Sequence, residues 1–356
     1  MLSFNEIFAD STKYCKKIKT DEYHETGKNM IVDQGQSEIA GYTDLEEGLF
    51  SDVPAIIFGD HTRIIKYVDK PFFIGADGVK VLKSKLEKAN YRYLYYALKN
   101  VKIPNTGYNR HFKWLKETIF KYPNSDRQQE IVLILDKLQS IITHIRTQLE
   151  KLDLLVKSRF VEMFGNIENM CTIADVCSII TDGTHQPPKF TTDGIPFLFV
   201  SNIATNEIVY NAEKFISEET YNDLYKRTPI EIGDIILSTV GSYGHPAIVK
   251  TNKKFLFQRH IAYLKPIPTT INSIYLHRAI LSDNVQRQID ERVKGIAQKT
   301  LNLSEIRKIV IPAPPLELQT QFANFVKQVD QSKSILQQEL TQTQTLFNSL
   351  MQEYFG

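Results

Sequence analysis

Apolar residues recur at coiled-coil spacing in two separate stretches of the chain. In the first stretch they alternate at intervals of four and three residues: Ile131, Leu135, Leu138, Ile142, Ile145, Leu149, Leu152 and Val156. The second stretch keeps this register with Phe322, Val326, Val329, Leu336, Leu340, Phe347, Leu350 and Tyr354, while Lys333 and Thr343 occupy two positions of the same seam. An a/d pattern sustained over several heptads predicts two long helices that bury these seams against each other.

The two stretches are copies of one segment. Residues 123–165 align with residues 314–356 at a constant offset and without a gap, so that Pro123 falls on Pro314 and Gln128 on Gln319. The regions before the two helices also share a plan, in which short β-patterned runs precede a helical segment and a basic loop. The basic loops are residues 107–114 and 294–301. The pattern therefore predicts a tandem repeat of a mixed β/α domain followed by a long helix.

Local patterns give the elements of each domain. Short apolar runs bounded by glycine, proline and aspartate predict strands at residues 30–33, 54–58, 64–68, 71–74 and 79–82 in the first half, and at 235–238 and 309–311 in the second. Helical spacing predicts a helix over residues 91–99, whereas residues 107–114 have the composition of a polar, basic and aromatic loop. The predicted fold class is α+β, with two similar domains and a pseudo-two-fold repeat.

The domain boundaries follow from the helices. We expect a first domain at residues 1–122, a first long helix at 123–165, a second domain at 166–311 and a second long helix at 312–356. Both parallel and antiparallel pairing of the helices are topologically possible. An intramolecular antiparallel coiled coil of roughly 50 Å would separate two inverted domains by more than one turn of B-DNA, about 34 Å. Such a molecule suits a two-part DNA site, and the alternative is a coiled-coil scaffold whose domains bind protein or peptide partners.

Composition sets limits on this interpretation. The chain has 356 residues, 42% of them hydrophobic and 24% charged, which is typical of a soluble globular protein. It lacks an apolar run of membrane-spanning length and a signal-peptide pattern, and its three cysteines favour reduced thiols in the cytoplasm. The formal net charge of +2 requires that a DNA-binding protein of this composition concentrate its basic residues locally.

Signals for catalysis are weak. The sequence has no GxxxxGK[ST] phosphate loop, which argues against ATP-driven translocation by this chain. The segment Gln186-Pro-Pro-Lys189 contains a proline pair but lacks the Asn or Asp and the aromatic residue of an adenine methyltransferase loop. The Asp60-His61 pair has no second cluster of metal ligands at a recognised spacing. We therefore expect no catalytic site and no metal site in this chain.

The segments that begin and end the two long helices carry a resemblance to a known family. One helix follows Ile311-Pro-Ala-Pro-Pro-Leu-Glu-Leu-Gln and ends in Glu-Tyr-Phe, and the other follows Tyr122-Pro-Asn-Ser and ends in Glu-Met-Phe-Gly. Strand–loop segments at residues 56–63 and 235–244 add to it. On these residues the chain resembles the specificity subunit of type I restriction–modification systems. The first copy departs from the pattern, because it has a single proline and Arg127 precedes Gln128.

The resemblance implies a non-catalytic subunit that reads a split DNA sequence. Each domain would read one half of the recognised sequence in double-stranded DNA, and the helical pair would set the length of the unread spacer. Two modification (methyltransferase) subunits would dock on the chain and bring S-adenosylmethionine for adenine methylation. Restriction (nuclease–translocase) subunits would bring ATP and Mg. The chain itself would bind no cofactor and would have no membrane partner.

Base reading needs paired donors and acceptors on exposed loops, and many of the same loop residues would contact phosphate instead. The first-half candidates are Gln34, Gln36, His61, Arg63, Tyr108, Asn109, Arg110, His111 and Lys113. The second-half candidates are His185, Gln186, Lys189, Asn202, Ser242, Tyr243, His245, Arg259, Gln298 and Lys299. Asn109-Arg-His111 is the favoured site, whereas His61 has the alternative role of holding its turn with Asp60 as a cap. Phe257 and Tyr263 are expected in the core.

Overall fold

The repeat predicted from the sequence organises the structure, a computed structural model that describes residues 1–75, 78–107, 109–295 and 299–356. The chain divides into two units. Unit 1 consists of Met1–Arg146 together with Gln337–Gly356, and unit 2 consists of Thr147–Leu336. Each unit therefore contains one set of sheets and a part of each long helix.

In the first repeat the described residues form nine strands and four helices. In chain order they are β1 (Leu2–Ser3), α1 (Phe4–Ile7), β2 (Phe8–Asp10), β3 (Asn29–Val32), β4 (Gly41–Thr43), β5 (Ala55–Gly59), β6 (Ile65–Val68), β7 (Phe72–Ile74), β8 (Val79–Ser84), α2 (Tyr91–Lys99), α3 (Phe112–Lys116), β9 (Ile119–Phe120) and α4 (Ser125–Phe164). Two 3-10 turns, Thr12–Tyr14 and Thr20–Glu22, lie between β2 and β3.

In the second repeat, leaving aside residues 296–298, the chain forms nine strands and six helices. They are β10 (Met170–Thr172), α5 (Ile173–Val176), β11 (Cys177–Asp182), β12 (Ile195–Leu198), β13 (Lys214–Ile216), α6 (Glu218–Tyr225), β14 (Ile235–Ser238), β15 (Pro246–Ile248), β16 (Leu256–Phe257), β17 (Ile261–Pro266), α7 (Ser273–Ile280), α8 (Asp283–Arg292), α9 (Leu303–Ile306), β18 (Val310–Pro312) and α10 (Leu316–Phe355). A 3-10 turn, Val200–Asn202, follows β12.

The two repeats have the same sheet topology. A four-stranded sheet has the order β2-β8-β5-β6 in the first repeat and β11-β17-β14-β15 in the second. A three-stranded sheet has the order β4-β3-β7 in one and β13-β12-β16 in the other, with a parallel pair at β3–β7 and at β12–β16. The pair β1–β9 matches β10–β18. The α+β class and the tandem repeat are thus confirmed.

One central strand of each four-stranded sheet is fully buried. All residues of β5 and of β14 are buried, and both strands are flanked by neighbours on either side. Continuous apolar runs are expected where both faces of a strand are covered, and this is the pattern that predicted these two strands. Phe257 and Tyr263 are likewise buried, as expected for core residues.

The long helices begin and end at equivalent positions. Helices α4 and α10 have 40 residues each, and their first residues, Ser125 and Leu316, are related by the same offset as their last, Phe164 and Phe355. All apolar residues of the predicted first-copy seam are buried or half-buried, while Leu133 and Leu154 on the same helix are exposed. The heptad pattern therefore predicted the buried face of α4.

A buried glutamine holds the start of each long helix. Gln128 is 3% exposed and donates from Nε2 to the carbonyl oxygen of Pro123 at 2.8 Å. Gln319 is 2% exposed and donates in the same way to Pro314 at 2.9 Å. Gln319 also accepts from the backbone amide of Asn272 at 2.8 Å, which ties the start of α10 to the second repeat. The two glutamines aligned by the sequence repeat thus have the same structural role.

The helices are antiparallel within each unit. In unit 1 the guanidinium of Arg127, near the start of α4, lies 5.4 Å from the ring of Tyr354, near the end of α10. In unit 2 the rings of Phe160 and Phe322 are 5.6 Å apart, so the end of α4 lies beside the start of α10. The predicted antiparallel pairing is confirmed in both units.

The end of each helix packs on a tyrosine that precedes the other helix. Phe355, at the end of α10, lies 5.2 Å from the Tyr93 ring in unit 1. Phe164, at the end of α4, lies 4.9 Å from the Tyr275 ring in unit 2. Both tyrosines are fully buried, and their hydroxyls donate to main-chain carbonyls at 2.8 and 2.7 Å. The last turns of both helices are therefore part of the cores.

Two expectations need correction or addition. Residues 107–114 are not a loop throughout, because the chain becomes helical at Phe112, where α3 begins. The second repeat also contains α6 and α8, which the sequence pattern did not predict.

Among the described residues, no helix combines the length and the apolar character needed to cross a bilayer.

The buried seam can be tested with two leucines of α4. Leu135 is fully buried in the core of unit 1, so Leu135→Ala should lower the free energy of unfolding by about 2–5 kcal/mol. Leu133 is 72% exposed, and Leu133→Ala should change it by less than about 0.5 kcal/mol. Urea denaturation followed by circular dichroism measures both, and equal effects of the two substitutions would contradict the assignment of the seam.

Candidate nucleic-acid interface

In unit 1 the predicted contact loops meet at one edge of the four-stranded sheet. Strand β5 ends and β8 begins at this edge, where Gly59 pairs with Val79. The amide of Asp60 donates to the carbonyl oxygen of Gly78 at 2.6 Å, and the amide of His111 donates to the carbonyl oxygen of Asp60 at 2.8 Å. Two main-chain hydrogen bonds thus bring the loop after β5, the loop before β8 and the loop before α3 together.

Asp60 and His111 are anchors of this edge and not exposed groups. Asp60 is 4% exposed, and its carboxylate accepts from the amide of Phe112 at 2.7 Å, where α3 begins. The imidazole Nδ1 of His111 lies 2.9 Å from the Asp60 carbonyl oxygen, and the side chain is fully buried. His111 is therefore not available to DNA in this structure, which corrects its place among the candidates.

Gln34 packs its loop against the same edge. Its Oε1 accepts from the amide of His61 at 3.2 Å, and its carbonyl oxygen accepts from the Thr62 hydroxyl at 2.7 Å. Gly78 has a φ of +88°, and a Cβ there would lie 2.6 Å from the His61 ring. Only glycine fits this position, where the main chain of Gly78 lies close to the half-buried His61 ring. The contact role of His61 and its alternative, holding the turn, both remain predictions.

Four other candidates of unit 1 present exposed side chains: Gln36, Asn109, Arg110 and Lys113. The Lys113 ammonium, on the first turn of α3, lies 4.1 Å from the ring centre of Trp114. Arg63 is half-buried with a φ of +63°, and its Nη1 lies 3.4 Å from the Ile103 carbonyl oxygen. Tyr108 lies outside the described residues.

Unit 2 builds its sheet edge with the same two hydrogen bonds. The amide of Thr239 donates to the carbonyl oxygen of His260 at 2.9 Å, and the amide of Leu301 donates to the carbonyl oxygen of Thr239 at 2.8 Å. Thr239 and Leu301 therefore correspond to Asp60 and His111 of unit 1. The described residues of the two basic loops are thus anchored alike, in agreement with the recurrence of this loop before each long helix.

A polar cavity of about 260 Å³ opens at the edge of unit 2. It is lined by Asp182, Thr239, Val240, Arg259, His260, Thr300, Leu301, Asn302 and Leu303. Burial, together with the charge of Arg259, lowers the pKa of His260. At neutral pH its imidazole is uncharged and offers one donor and one acceptor.

Asp182 is the centre of a basic cluster beside this cavity. Its Oδ1 accepts from Nη2 of Arg227 at 2.6 Å, and Nε2 of His185 lies 3.1 Å from its Oδ2. Its side chain is 17% exposed, whereas those of Arg227 and His185 are about half exposed. Sequence reasoning identified His185 but missed Asp182 and Arg227. The segment Tyr225-Lys-Arg-Thr-Pro229, a basic pair before a proline, was the available signal.

The remaining candidates of unit 2 differ in accessibility. Gln186, Lys189, Ser242, Arg259 and Lys299 are exposed, and Gln298 lies outside the described residues. Half-buried Tyr243 donates from its hydroxyl to Asp290 at 2.9 Å, and Nδ1 of half-buried His245 lies 3.1 Å from Oδ1 of Asn206.

Asn202 is 9% exposed, and its amide side chain bonds to main-chain groups of Phe199 and Val209. It therefore belongs to the core and not to the accessible face, a second correction to the candidate set.

The chemistry of the two edges is that of polar recognition. Guanidinium, ammonium and amide groups are exposed on loops whose main chains are held by sheets, and such groups bond to phosphates and to base edges. Within the described ranges, no group of three or more His, Cys, Asp or Glu residues is placed to hold a metal ion.

Comparisons with known proteins agree with this architecture. A segment of the chain is 29% identical over 171 residues to the specificity subunit of the Escherichia coli type I restriction enzyme EcoBI, covering 48% of this chain and 36% of that protein. The specificity subunit of the Methanocaldococcus jannaschii enzyme MjaVIII is 22% identical over 315 residues, which cover 78% of this chain and 74% of that protein. The match to EcoBI thus spans only about a third of that relative's length.

The fold also has a counterpart among solved structures. The crystal structure of the S subunit of a type I restriction–modification system from M. genitalium superposes with a TM-score of 0.62 and 16% identity, over 99% of this chain and 95% of that one. The model of the type I restriction modification DNA specificity domain matches twice, at residues 4–153 and 168–344. These two matches include both sheet edges and most of both long helices, and the chain belongs to the type I restriction modification DNA specificity domain family.

Proposed function

We propose that this chain is the DNA-recognition subunit of a type I restriction–modification complex and that it reads a split sequence. Residues 1–122 would read one half and residues 166–311 the other, while the helices of residues 123–165 and 312–356 set the unread spacer. The observation that carries the proposal is the sheet edge that is built twice with the same pair of main-chain hydrogen bonds.

The side chains presented at the two sheet edges differ, although both edges have the same frame, the pair of main-chain hydrogen bonds that holds the loops. Unit 1 presents Asn109 and Arg110 just before its anchored residue, whereas unit 2 presents Lys299 at the equivalent place. Asparagine pairs with adenine and arginine with guanine, while lysine contacts guanine or phosphate. Two equivalent frames with different side chains are suited to reading two different half-sequences.

The partners and cofactors follow from the family context. We propose that two modification subunits dock on the chain and supply S-adenosylmethionine for adenine methylation, and that restriction subunits supply ATP and Mg. The chain itself would be non-catalytic and would bind no cofactor. Because its proposed ligand is cellular DNA, it would work in the cytoplasm.

A scaffold that binds protein or peptide partners is the competing function, and the salt dependence of binding distinguishes the two. Phosphate contacts release counterions, so the affinity for DNA should fall steeply as salt rises. Equal affinity for all duplexes at moderate salt would contradict sequence recognition, and the absence of any duplex binding would favour the scaffold.

An exchange of domains tests the assignment of the halves. Replacing residues 1–122 by the corresponding domain of another specificity subunit should change one half of the recognised sequence and leave the other half and the spacer unchanged. Mapping methylated adenines in cells that carry the exchanged chain and its modification partner measures this directly. A change in both halves would contradict independent reading.

The favoured contact of unit 1 is tested by Arg110→Ala. If Arg110 reads a guanine, the substitution should weaken binding of the preferred duplex by about 1–3 kcal/mol and relax the sequence preference at one position. Lys137→Ala, which removes an exposed positive charge from α4 in the same unit, is the matched control and should leave that preference unchanged. Fluorescence anisotropy over a salt series measures both, and unchanged binding by folded Arg110→Ala would remove the residue from the site.

A further inference from the structure

We propose that Arg227 reads a guanine in the half-sequence recognised by unit 2, and that Asp182 is the residue that positions it. The inference rests on the DNA-recognition function proposed above and assigns one specificity-determining residue to it. Arg227 lies outside the loop segments that supplied the candidates of unit 2, yet its guanidinium reaches the sheet edge through Asp182.

Asp182 is fixed by its place in the sheet. It is the last residue of β11 and pairs with Ala262, next to the start of β17 and the end of β14, where Ser238 pairs with Ile261. The Asp182 side chain therefore lies at the edge where Thr239 and His260 are joined, and it lines the same cavity.

The carboxylate of Asp182 holds one side of the Arg227 guanidinium. Nη2 donates to Oδ1 at 2.6 Å, and His185 contacts Oδ2 at 3.1 Å, so the carboxylate is held between two basic groups. No other hydrogen bond of the Arg227 guanidinium occurs within the described part of the chain, and the side chain is 50% exposed. The remaining N–H groups of the Arg227 guanidinium are thus oriented by the Asp182 carboxylate and accessible to a ligand.

Guanine matches the donors that remain. Its O6 and N7 atoms in the major groove are two adjacent acceptors, and a guanidinium can donate to both at once. Holding the guanidinium by one nitrogen before binding reduces the side-chain entropy that is lost when the two bonds form. A lysine at this position could still donate to guanine, but its ammonium lacks the planar fork that the Asp182 carboxylate orients.

The main chain around Arg227 is also held in place. The amide of Arg227 donates to the carbonyl oxygen of Leu224 at 3.2 Å, and the amide of Thr228 donates to that of Tyr225 at 3.0 Å. Thr228 is 3% exposed, so the segment that follows α6 is packed against the domain. Arg227 is therefore presented from a fixed backbone and not from a loose loop.

The segment that supplies Arg227 differs between the repeats. Between β13 and β14, unit 2 has helix α6 and then Arg227, whereas residues 44–54, the equivalent connection in unit 1, are all described and contain no helix. The sheets on either side have the same topology in both repeats. A residue that distinguishes one half-sequence from the other is expected in such a variable segment.

Two other roles for Arg227 make different predictions. If Arg227 contacts a phosphate, its substitution would weaken binding of all sequences alike and would reduce the salt dependence of binding. A purely structural ion pair would leave the base preferences unchanged. Only if Arg227 contacts a guanine would its substitution change the base preference at a single position of one half-sequence.

Selection from a random duplex library by the full-length chain with its modification partner tests the proposal. Arg227→Ala should reduce a G·C preference at one position of the unit 2 half by roughly tenfold or more. Arg227→Lys should reduce it to a smaller extent, because lysine can still donate to guanine. Asp182→Asn should reduce the preference at that same position to a smaller extent. The unit 1 half should stay unchanged, and the other positions of the unit 2 half report that unit 2 is folded.

Lys226→Ala is the matched control, because it removes the neighbouring exposed positive charge. It should leave the preference at that position intact. The proposal is overturned if Arg227→Ala weakens all sequences equally, or if no position changes. If the unsubstituted chain selects no sequence at all, the DNA-recognition function itself fails and this inference fails with it.

Discussion

The pair of main-chain hydrogen bonds at each sheet edge is the constraint on which the candidate surface depends. In unit 1 they join Asp60 to Gly78 and to His111, and in unit 2 they join Thr239 to His260 and to Leu301. Because donor and acceptor are backbone groups, the frame does not need a particular side chain at most positions. The loops can therefore hold the same geometry while their exposed residues differ.

The sequence predicted the frame better than the surface. The heptad seams and the aligned glutamines identified both long helices, because burial along a helix leaves a periodic record in the sequence. The buried strands β5 and β14 were likewise visible as apolar runs bounded by turns. Regular elements that bury one or both faces are thus the part of this fold that can be predicted.

Side-chain accessibility was the part that could not be predicted. His111 has the composition of a contact residue, yet its imidazole is buried against the Asp60 carbonyl, a contact between residues 51 positions apart. Arg227 was missed for the same reason, since its place at the edge depends on Asp182, 45 positions away. Such distant pairings leave no periodic signal, so a loop residue's composition alone does not show which way it faces.

The division of the chain into units has a consequence for its synthesis on the ribosome. Unit 2 is a continuous segment, residues 147–336, whereas unit 1 also needs residues 337–356, including Phe355 against Tyr93. All of unit 2 has therefore been translated before the last part of the unit 1 core exists. The repeat that is made first is completed last, and during elongation its buried tyrosine lacks the aromatic partner that arrives with the final turns of α10.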